Sequence, residues 1–216
     1  MPGIRLVAGP NGSGKTTLTR QLREKHAVPL GQYLNPDDIA KHIDFQNIID
    51  NLPPEKAEES AAILARNISI GLRNDWIRDH LSFTYESVMS HKSHVDFVQQ
   101  AKNKGYKAYL YYVCTSDVDL NKERVHQRVE EGGHNVPEAK IRSRYERSLA
   151  YLKDMLALCH RAYLFDNSKE MTFIAEVTPD GFLDIVEEAF DRTQPHWFVD
   201  SILHVWPSSK IRLGKV

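Results

Sequence analysis

The chain has 216 residues, of which 41% are hydrophobic and 26% are charged. This is the composition of an ordinary globular protein, and it excludes a disordered chain, a collagen-like chain and a small disulfide scaffold. Lys and Arg total 28 while Asp and Glu total 29, so the formal charge is −1. A near-neutral chain argues against nucleic acid as the partner, and any anion site must be built locally.

Cellular location is predicted from the cysteines and from the distribution of apolar residues. Cys114 and Cys159 lie in apolar contexts and belong to no C-x-x-C pair. We interpret both as buried free thiols, which are typical of cytoplasmic proteins. No signal peptide is predicted, and no apolar run approaches the roughly 20 residues that cross a bilayer. We therefore expect a cytoplasmic protein without a membrane segment.

The strongest motif follows the first predicted strand, at residues 3–8, and opens a predicted helix from Lys15 to about His26. Residues 9–16 read GPNGSGKT and fill every position of the phosphate-binding loop G-x-x-x-x-G-K-[ST]. Glycines let backbone N–H groups approach phosphate oxygens, and the helix N-terminus adds partial positive charge. We expect Mg²⁺ on the Thr16 hydroxyl and ATP on Gly9, Asn11, Gly12, Ser13, Gly14, Lys15, Thr16 and Thr17.

Other classes of P-loop protein carry signatures that differ from this chain. The L-S-G-G-Q motif of ABC ATPases is missing from the sequence, and the nearest match to the guanine-reading N-K-x-D has Arg124 in place of Asp. Residues 162–166 resemble a Walker B strand, but we interpret Asp166 as a strand-end residue rather than a magnesium ligand. A regulatory ATPase and a nucleotide or polynucleotide kinase remain the alternatives to a small-molecule kinase.

Acidic residues follow two further predicted strands, at 32–35 and 81–86. Asp37 and Asp38 come in the first turn of a helix, where a general base and a plain helix cap are both open interpretations. Glu86 stands beside Ser87 at the end of its strand. This pair could hold a substrate hydroxyl or the water shell of Mg²⁺, or Glu86 could be an exposed edge residue.

A basic region occupies residues 122–161, where nine Lys or Arg and six Asp or Glu give a local charge of +3. Within it, Gly132 and Gly133 separate two predicted helices. Basic residues beside a Gly-Gly hinge are typical of a lid that closes over transferring phosphates. We predict a helical lid over about residues 124–148, with a solvated pair of amphipathic helices as the alternative.

The remaining elements complete an alternation of strands and helices. We predict a long helix over 54–79, strands at 106–114, 161–166 and 171–178, and a helix over 181–190. The last helix is predicted because its apolar residues recur at helical spacing. The alternation predicts an α/β fold in three layers with a mostly parallel sheet. We expect a single P-loop domain over residues 1–190, followed by a C-terminal tail at 191–216.

Four segments together resemble the zeta-toxin family of P-loop kinases: residues 9–17, 35–40, 85–87 and 124–149. The most distinctive is GGHNVP at 132–137, followed by RYERSL at 144–149. The resemblance implies phosphoryl transfer from ATP and Mg²⁺ to a hydroxyl of a small molecule. In the best-known members the acceptor is UDP-N-acetylglucosamine. An antitoxin protein is a further expected partner.

Roles follow from the resemblance residue by residue. Asp37 resembles the catalytic base of the family. The substrate-binding group is expected to consist of Glu86, Asn35 and Ser87. Arg128 and one of Arg142 or Arg144 resemble the lid arginines that, with Lys15, neutralise the transferring phosphoryl group. The chain departs from the toxins after Glu86: it reads SVMS at 87–90, where the toxins have a Thr and then a basic residue that helps to hold the nucleotide sugar.

Overall fold

The computed structural model describes residues 1–45, 49, 52–131, 133 and 136–214. One sheet contains eight strands in the order β2-β3-β1-β4-β5-β6-β7-β8. The strands are β1 (Gly3–Ala8), β2 (Gln32–Leu34), β3 (Phe83–Ser87), β4 (Lys107–Cys114), β5 (Arg161–Asp166), β6 (Thr172–Val177), β7 (Leu183–Val186) and β8 (Ile211–Gly214).

Helices connect these strands and cover the sheet. In chain order they are α1 (Lys15–Glu24), α2 (Pro36–Ala40), α3 (Pro54–Arg78), α4 (Ser93–Asn103), α5 (Val118–Glu130), α6 (Glu138–Ala150), α7 (Leu152–Leu158), α8 (Glu187–Thr193) and α9 (His196–Ser201). The long predicted helix over 54–79 is α3. Within the described ranges, no helix is both long enough and apolar enough to span a membrane.

The sheet is parallel from β2 to β5, and β1 lies in the middle of that part between β3 and β4. β6 and β7 each run antiparallel to the strand before them, and β8 is parallel to β7. β1 and β4 are almost entirely buried, as expected for parallel strands that helices cover on both faces. The mostly parallel α/β sheet is therefore confirmed.

Alternation along β1 divides the core between two faces of the sheet. Val7 packs with Leu18 and Leu22 of α1 on one face. Leu6 and Ala8 belong to the larger cluster on the opposite face, together with residues of α4, α7 and α9. The structure thus has a layer of helices on each side of the sheet, and the predicted three-layer P-loop fold is confirmed.

The predicted helix over 181–190 is wrong in its first half. Leu183–Val186 form β7, between β6 and β8, and only Glu187–Thr193 are helical. A short apolar run is compatible with either element, and pairing with two distant strands decides for the strand. Beyond residue 190, β8 extends the same sheet, and Trp197 and Phe198 enter the main core.

Candidate active site

The phosphate-binding loop joins the end of β1 to α1. Gly14 has φ +101° and caps α1 without a side-chain hydrogen bond, and the first turn of the helix contains no acidic residue. The N–H groups of that turn therefore remain open to an anion. The Oδ1 of Asn11 and the Oγ of Ser13 are buried and have no hydrogen-bond partner among the described residues. This loop fits the phosphates of ATP.

Neighbouring backbone packs tightly against the loop. Gly9 has φ +148°, and a Cβ there would overlap the carbonyl oxygen of Val113 on β4. A Cβ on Gly14 would meet the side-chain amide of Asn167, which follows β5. The Nδ2 of Asn167 donates to the carbonyl of Ser13 at 2.9 Å. The loop is therefore held by the strand ends next to it.

Lys15 is the centre of a group of charges. Its ammonium donates to the carbonyls of Gly9 and Pro10 at 2.9 and 3.0 Å. Burial lowers the pKa of Lys15, the charges of Glu86 and Asp37 raise it, and those of Arg128 and Arg144 lower it. The structure thus brings together these four predicted residues around the P-loop lysine.

Glu86 is fixed by two hydroxyl groups that the sequence analysis did not identify. Its Oε1 accepts from Thr19 Oγ1 at 2.5 Å and from the Tyr33 hydroxyl at 2.7 Å. Only 5% of the surface of Glu86 is exposed. Burial of the Tyr33 hydroxyl and the charge of Glu86 raise the pKa of Tyr33 well above its ordinary value. Thr19 follows Thr16 by one turn of α1, so both lie on the same face of the helix. This spacing was the signal by which the sequence could have placed Thr19 at the site.

The turn after β2 gives the two adjacent aspartates, Asp37 and Asp38, different surroundings. Asn35 caps α2, and its Oδ1 accepts from the Asp37 backbone N–H at 3.0 Å. Asp38 forms an ion pair with Lys41 at 3.1 Å. Asp37 is exposed, lines a cavity and acts on Lys15 through its charge. Because Asn35 is the cap, the side chain of Asp37 is available for chemistry.

A cavity of about 410 Å³ lies next to Asp37, between α2, the start of α3 and Gly133 of the lid. Its size is that of a small-molecule site. Its lining consists of Pro36, Asp37, Ala40, Lys41, Ile43, Asp44, Phe45, Pro54, Ala57, Glu58, Ala61, Ala62 and Gly133. Asp37 thus lines this cavity while its charge acts on the lysine of the phosphate loop.

Two arginines of the predicted lid lie on two different helices. Arg128 is near the C-terminus of α5, and its carbonyl accepts from the N–H of Gly133 at 2.8 Å. Arg144 lies on α6; burial lowers its pKa and the charge of Asp37 raises it. Arg142 instead contacts Asp119 at 3.5 Å. The remaining residues of the hinge, 132, 134 and 135, lie outside the described residues.

Comparison with known proteins identifies the family. The family model for the zeta toxin matches residues 1–176. The chain belongs to the zeta-toxin family. In sequence, the chain is similar to an uncharacterized protein of Haemophilus influenzae (strain KW20 / Rd), which is 31% identical over 137 residues that cover 63% of this chain and 88% of that protein.

Two solved structures show the same fold at low sequence identity. The AvrRxo1-ORF1:AvrRxo1-ORF2 structure with ATP aligns with a TM-score of 0.65 and 18% identity, covering 89% of this chain and 63% of that chain. The PezAT chromosomal toxin-antitoxin system of Streptococcus pneumoniae aligns with a TM-score of 0.60 and 15% identity, covering 97% of this chain and 82% of that chain. The chain therefore spans less than two thirds of the length of the AvrRxo1 chain that it matches.

The backbone carbonyl of Ser87, a predicted substrate contact, accepts from the N–H of Gly9 at 3.3 Å, but the hydroxyl of Ser87 has other partners. Its Oγ contacts the His94 Nε2 at 3.0 Å and accepts from the N–H of Met89 at 2.9 Å. Tyr85, two residues earlier on the same face of β3, also stacks on His94. Since side chains alternate along a strand, Ser87 faces α4 while Glu86 faces α1.

Residues at and after the end of β5 form a hydrogen-bonded segment beside the P-loop, and its contact with the loop was not predicted from the sequence. Asp166 accepts from Trp197 Nε1 at 2.8 Å and from Ser168 Oγ at 3.0 Å, which agrees with its interpretation as a structural strand-end residue. Asn167 was missed as a support of the loop, although it directly follows a predicted strand. Arg124 Nη1 donates to the Asn167 carbonyl at 2.9 Å and extends this support to α5.

Proposed function

We propose that the protein is a kinase that transfers the γ-phosphate of ATP to a hydroxyl of a small molecule. One observation carries the proposal: Asp37 both acts on the P-loop lysine through its charge and lines the cavity beside it. A base in that position can serve an acceptor in the cavity and a phosphate on the loop at once. Membership of the zeta-toxin family supports the same reaction.

In the proposed reaction Asp37 accepts the proton of the acceptor hydroxyl. The acceptor oxygen forms a bond to the γ-phosphorus, the bond to the β-phosphate oxygen breaks, and ADP leaves. Lys15, Arg128 and Arg144 neutralise the charge on the transferring group, and such stabilisation carries most of phosphoryl-transfer catalysis. The Thr16 hydroxyl, which is exposed at the start of α1, fits the proposed magnesium ligand. Mg²⁺ held there would supply positive charge that offsets the charge of the phosphates.

Glu86, whose charge also raises the pKa of Lys15, is proposed to orient the acceptor. Its Oε1 is held by Thr19 and Tyr33, so the carboxylate has one orientation. Asn35 contributes by fixing the turn that carries Asp37. Ser87 remains a proposed acceptor contact, although its hydroxyl is turned toward α4.

An antitoxin is proposed as a protein partner, because the PezAT relative in fold is a toxin-antitoxin system. Copurification of the chain with the product of a neighbouring gene tests this proposal. The acceptor of the family's best-known members, a UDP-N-acetyl sugar, enters the experiment below as one compound among several.

The decisive experiment incubates the purified protein with Mg²⁺-ATP and a panel of UDP-sugars, nucleotides, free sugars and amino acids. Mass spectrometry should find one class of phosphorylated product. Lys15→Ala should lower the rate by about 10³-fold or more, because it removes the positive charge at the transferring phosphate. Lys25→Ala, at the exposed end of α1, is the matched control. Phosphate release without any phosphorylated acceptor would instead identify a regulatory ATPase.

Adjacent aspartates provide the test of the base. Asp37→Asn should keep nucleotide affinity and lower turnover by about 10²- to 10⁴-fold, the contribution of a general base. Asp38→Asn makes the same chemical change one residue later and loses only an exposed ion pair with Lys41. Equal turnover by the two variants would show that Asp37 is not the general base.

A further inference from the structure

The match to the family ends at residue 176, and the aromatic helix α9 lies beyond that end. We propose that this later segment is a working part of the nucleotide site. Trp197 of α9 is the positioning residue: it holds Asp166, Asp166 holds the turn that carries Asn167, and Asn167 orients the backbone of the phosphate loop. The inference rests on the proposed function in one point only, which is that a nucleotide binds on the loop.

Trp197 is fixed in the main core and bonded to a buried carboxylate. Only 3% of its surface is exposed, and the centre of its ring lies 5.7 Å from that of Tyr112 on β4. Its Nε1 donates to the Oδ2 of Asp166 at 2.8 Å. Asp166 is 1% exposed, and a buried carboxylate is stable only when hydrogen bonds replace its hydration. A donor that is locked by packing therefore determines where this carboxylate lies.

Asp166 in turn fixes the chain that follows β5. Its Oδ1 accepts from the backbone N–H of Ser168 at 2.9 Å, and its Oδ2 accepts from the Ser168 hydroxyl at 3.0 Å. An aspartate that bonds the backbone two residues later closes an Asx turn. The same hydroxyl accepts from the N–H of Ser116, and the N–H of Asn167 donates to the carbonyl of Cys114 at the end of β4. Asn167, which this turn encloses, thus has a fixed backbone.

Asn167 orients one peptide unit of the phosphate loop. Its Nδ2 donates to the carbonyl of Ser13 at 2.9 Å. In a planar trans peptide the N–H points opposite to the C=O, so this bond also directs the N–H of Gly14 away from Asn167. Successive N–H groups of such a loop are the groups that hold phosphate oxygens. The connection that begins at Trp197 therefore ends on a group that the loop offers to a phosphate.

A second tryptophan of the same segment lacks this connection. Trp206 also packs against the main core, but its Nε1 has no hydrogen-bond partner among the described residues. Removing the indole N–H is the same chemical change at both positions, and only at Trp197 does it break a contact that leads to the loop. The expected domain boundary at residue 190 would cut that contact, so α9 belongs with the nucleotide-binding domain.

Binding of ADP with Mg²⁺ tests the inference without any acceptor. Affinities are measured by titration calorimetry at a temperature where circular dichroism shows each variant to be folded. Trp197→Phe keeps an aromatic ring, and it should weaken ADP binding by about threefold to tenfold, the range for a residue that acts on a site through others. Trp206→Phe is the matched control and should leave the affinity unchanged. Equal affinities of the two variants would overturn the inference.

A double-mutant cycle tests the route. Asn167→Ala removes the bond to Ser13 and should weaken ADP binding by about tenfold. If Trp197 acts through Asn167, adding Trp197→Phe to Asn167→Ala should cause no further loss. A full additional loss in the double variant would mean that Trp197 acts on the fold in general, which contradicts the inference.

Ser168→Ala provides the test if Trp197→Phe does not fold. It removes one donor to Asp166 from a half-buried turn, where a loss of stability is small. ADP binding should weaken by about threefold, because the turn around Asn167 is less well fixed. An unchanged affinity would contradict the inference.

The inference and the kinase proposal fail in different ways. If the unaltered protein is folded and binds no ADP, both are wrong. If it binds ADP and Trp197→Phe has no effect, the kinase proposal stands and the inference is wrong. If Trp197→Phe weakens ADP binding but no hydroxyl compound is ever phosphorylated, the inference stands and the kinase proposal is wrong.

Discussion

The phosphate side and the proposed acceptor side of Asp37 are built by different means. On the phosphate side the loop consists largely of backbone packed against backbone, and Gly9 lies against the carbonyl of Val113. On the acceptor side, side chains of α2 and α3 line an open cavity next to an exposed Asp37. Backbone recognises a phosphate whatever it is attached to, whereas side chains can vary the acceptor without disturbing the loop. We expect the first side to determine the reaction and the second to determine the substrate.

The largest expected effect concerns which lid arginine belongs to the phosphate side. Arg144→Ala should lower turnover at saturating ATP by about 10³-fold, because an arginine that offsets transition-state charge contributes 10³–10⁵ in rate. Arg142→Ala should change turnover by less than about threefold, since Arg142 contacts Asp119 near the surface. A larger loss with Arg142→Ala would reverse the assignment of the two arginines.

The next effect concerns the backbone of the phosphate side. Gly9→Ala should lower the free energy of unfolding by about 3 kcal/mol or more and abolish nucleotide binding, because an added Cβ meets fixed backbone at a positive φ. Gly71→Ala, in the middle of α3, adds its Cβ in open space and should raise stability by roughly 0.5–1 kcal/mol. Urea unfolding of both variants measures the difference. Similar stability of the two would show that the loop is more adaptable than its packing indicates.

The smallest effect checks whether Ser87 belongs to the acceptor side or to the packing of α4. Its partner His94 has a pKa lowered to about 4 by burial, with Arg73, His91 and Arg66 adding to the shift. The unfolded chain binds a proton near pH 6.5, so His94 stabilises the fold above that pH, and this stability is lost as pH falls toward 4.

The shifted pKa of His94 should lower the free energy of unfolding by about 2 kcal/mol between pH 7 and pH 4.5. His94→Gln should remove that part of the pH dependence. His91→Gln, on the exposed start of the same segment, should keep most of it, because burial is the largest cause of the His94 shift. Urea unfolding of each variant at pH 7 and pH 4.5 measures this difference in the free energy of unfolding. An unchanged slope in His94→Gln would mean that the imidazole of His94 is well solvated and that Ser87 is free to turn toward the acceptor.

Local sequence alone determined the phosphate-binding loop of this protein. The loop motif predicted the turn, the start of α1 and the position of Lys15, because phosphate binding depends on glycine backbone and on a helix N-terminus that follow one another in the chain. The parallel sheet was predictable for a similar reason, since strands that alternate with helices can pair in few ways.

Only the tertiary structure decided the rest. Residues 183–186 are a strand because β6 and β8 pair with them, and a short apolar run cannot show this by itself. The choice of Arg144 over Arg142 as the proposed lid arginine depends on how α6 packs beside the loop, and the fixation of Glu86 depends on Tyr33, 53 residues away. Charge interactions and hydrogen bonds between distant segments depend on distances in space, and these are set only when the whole sheet is assembled.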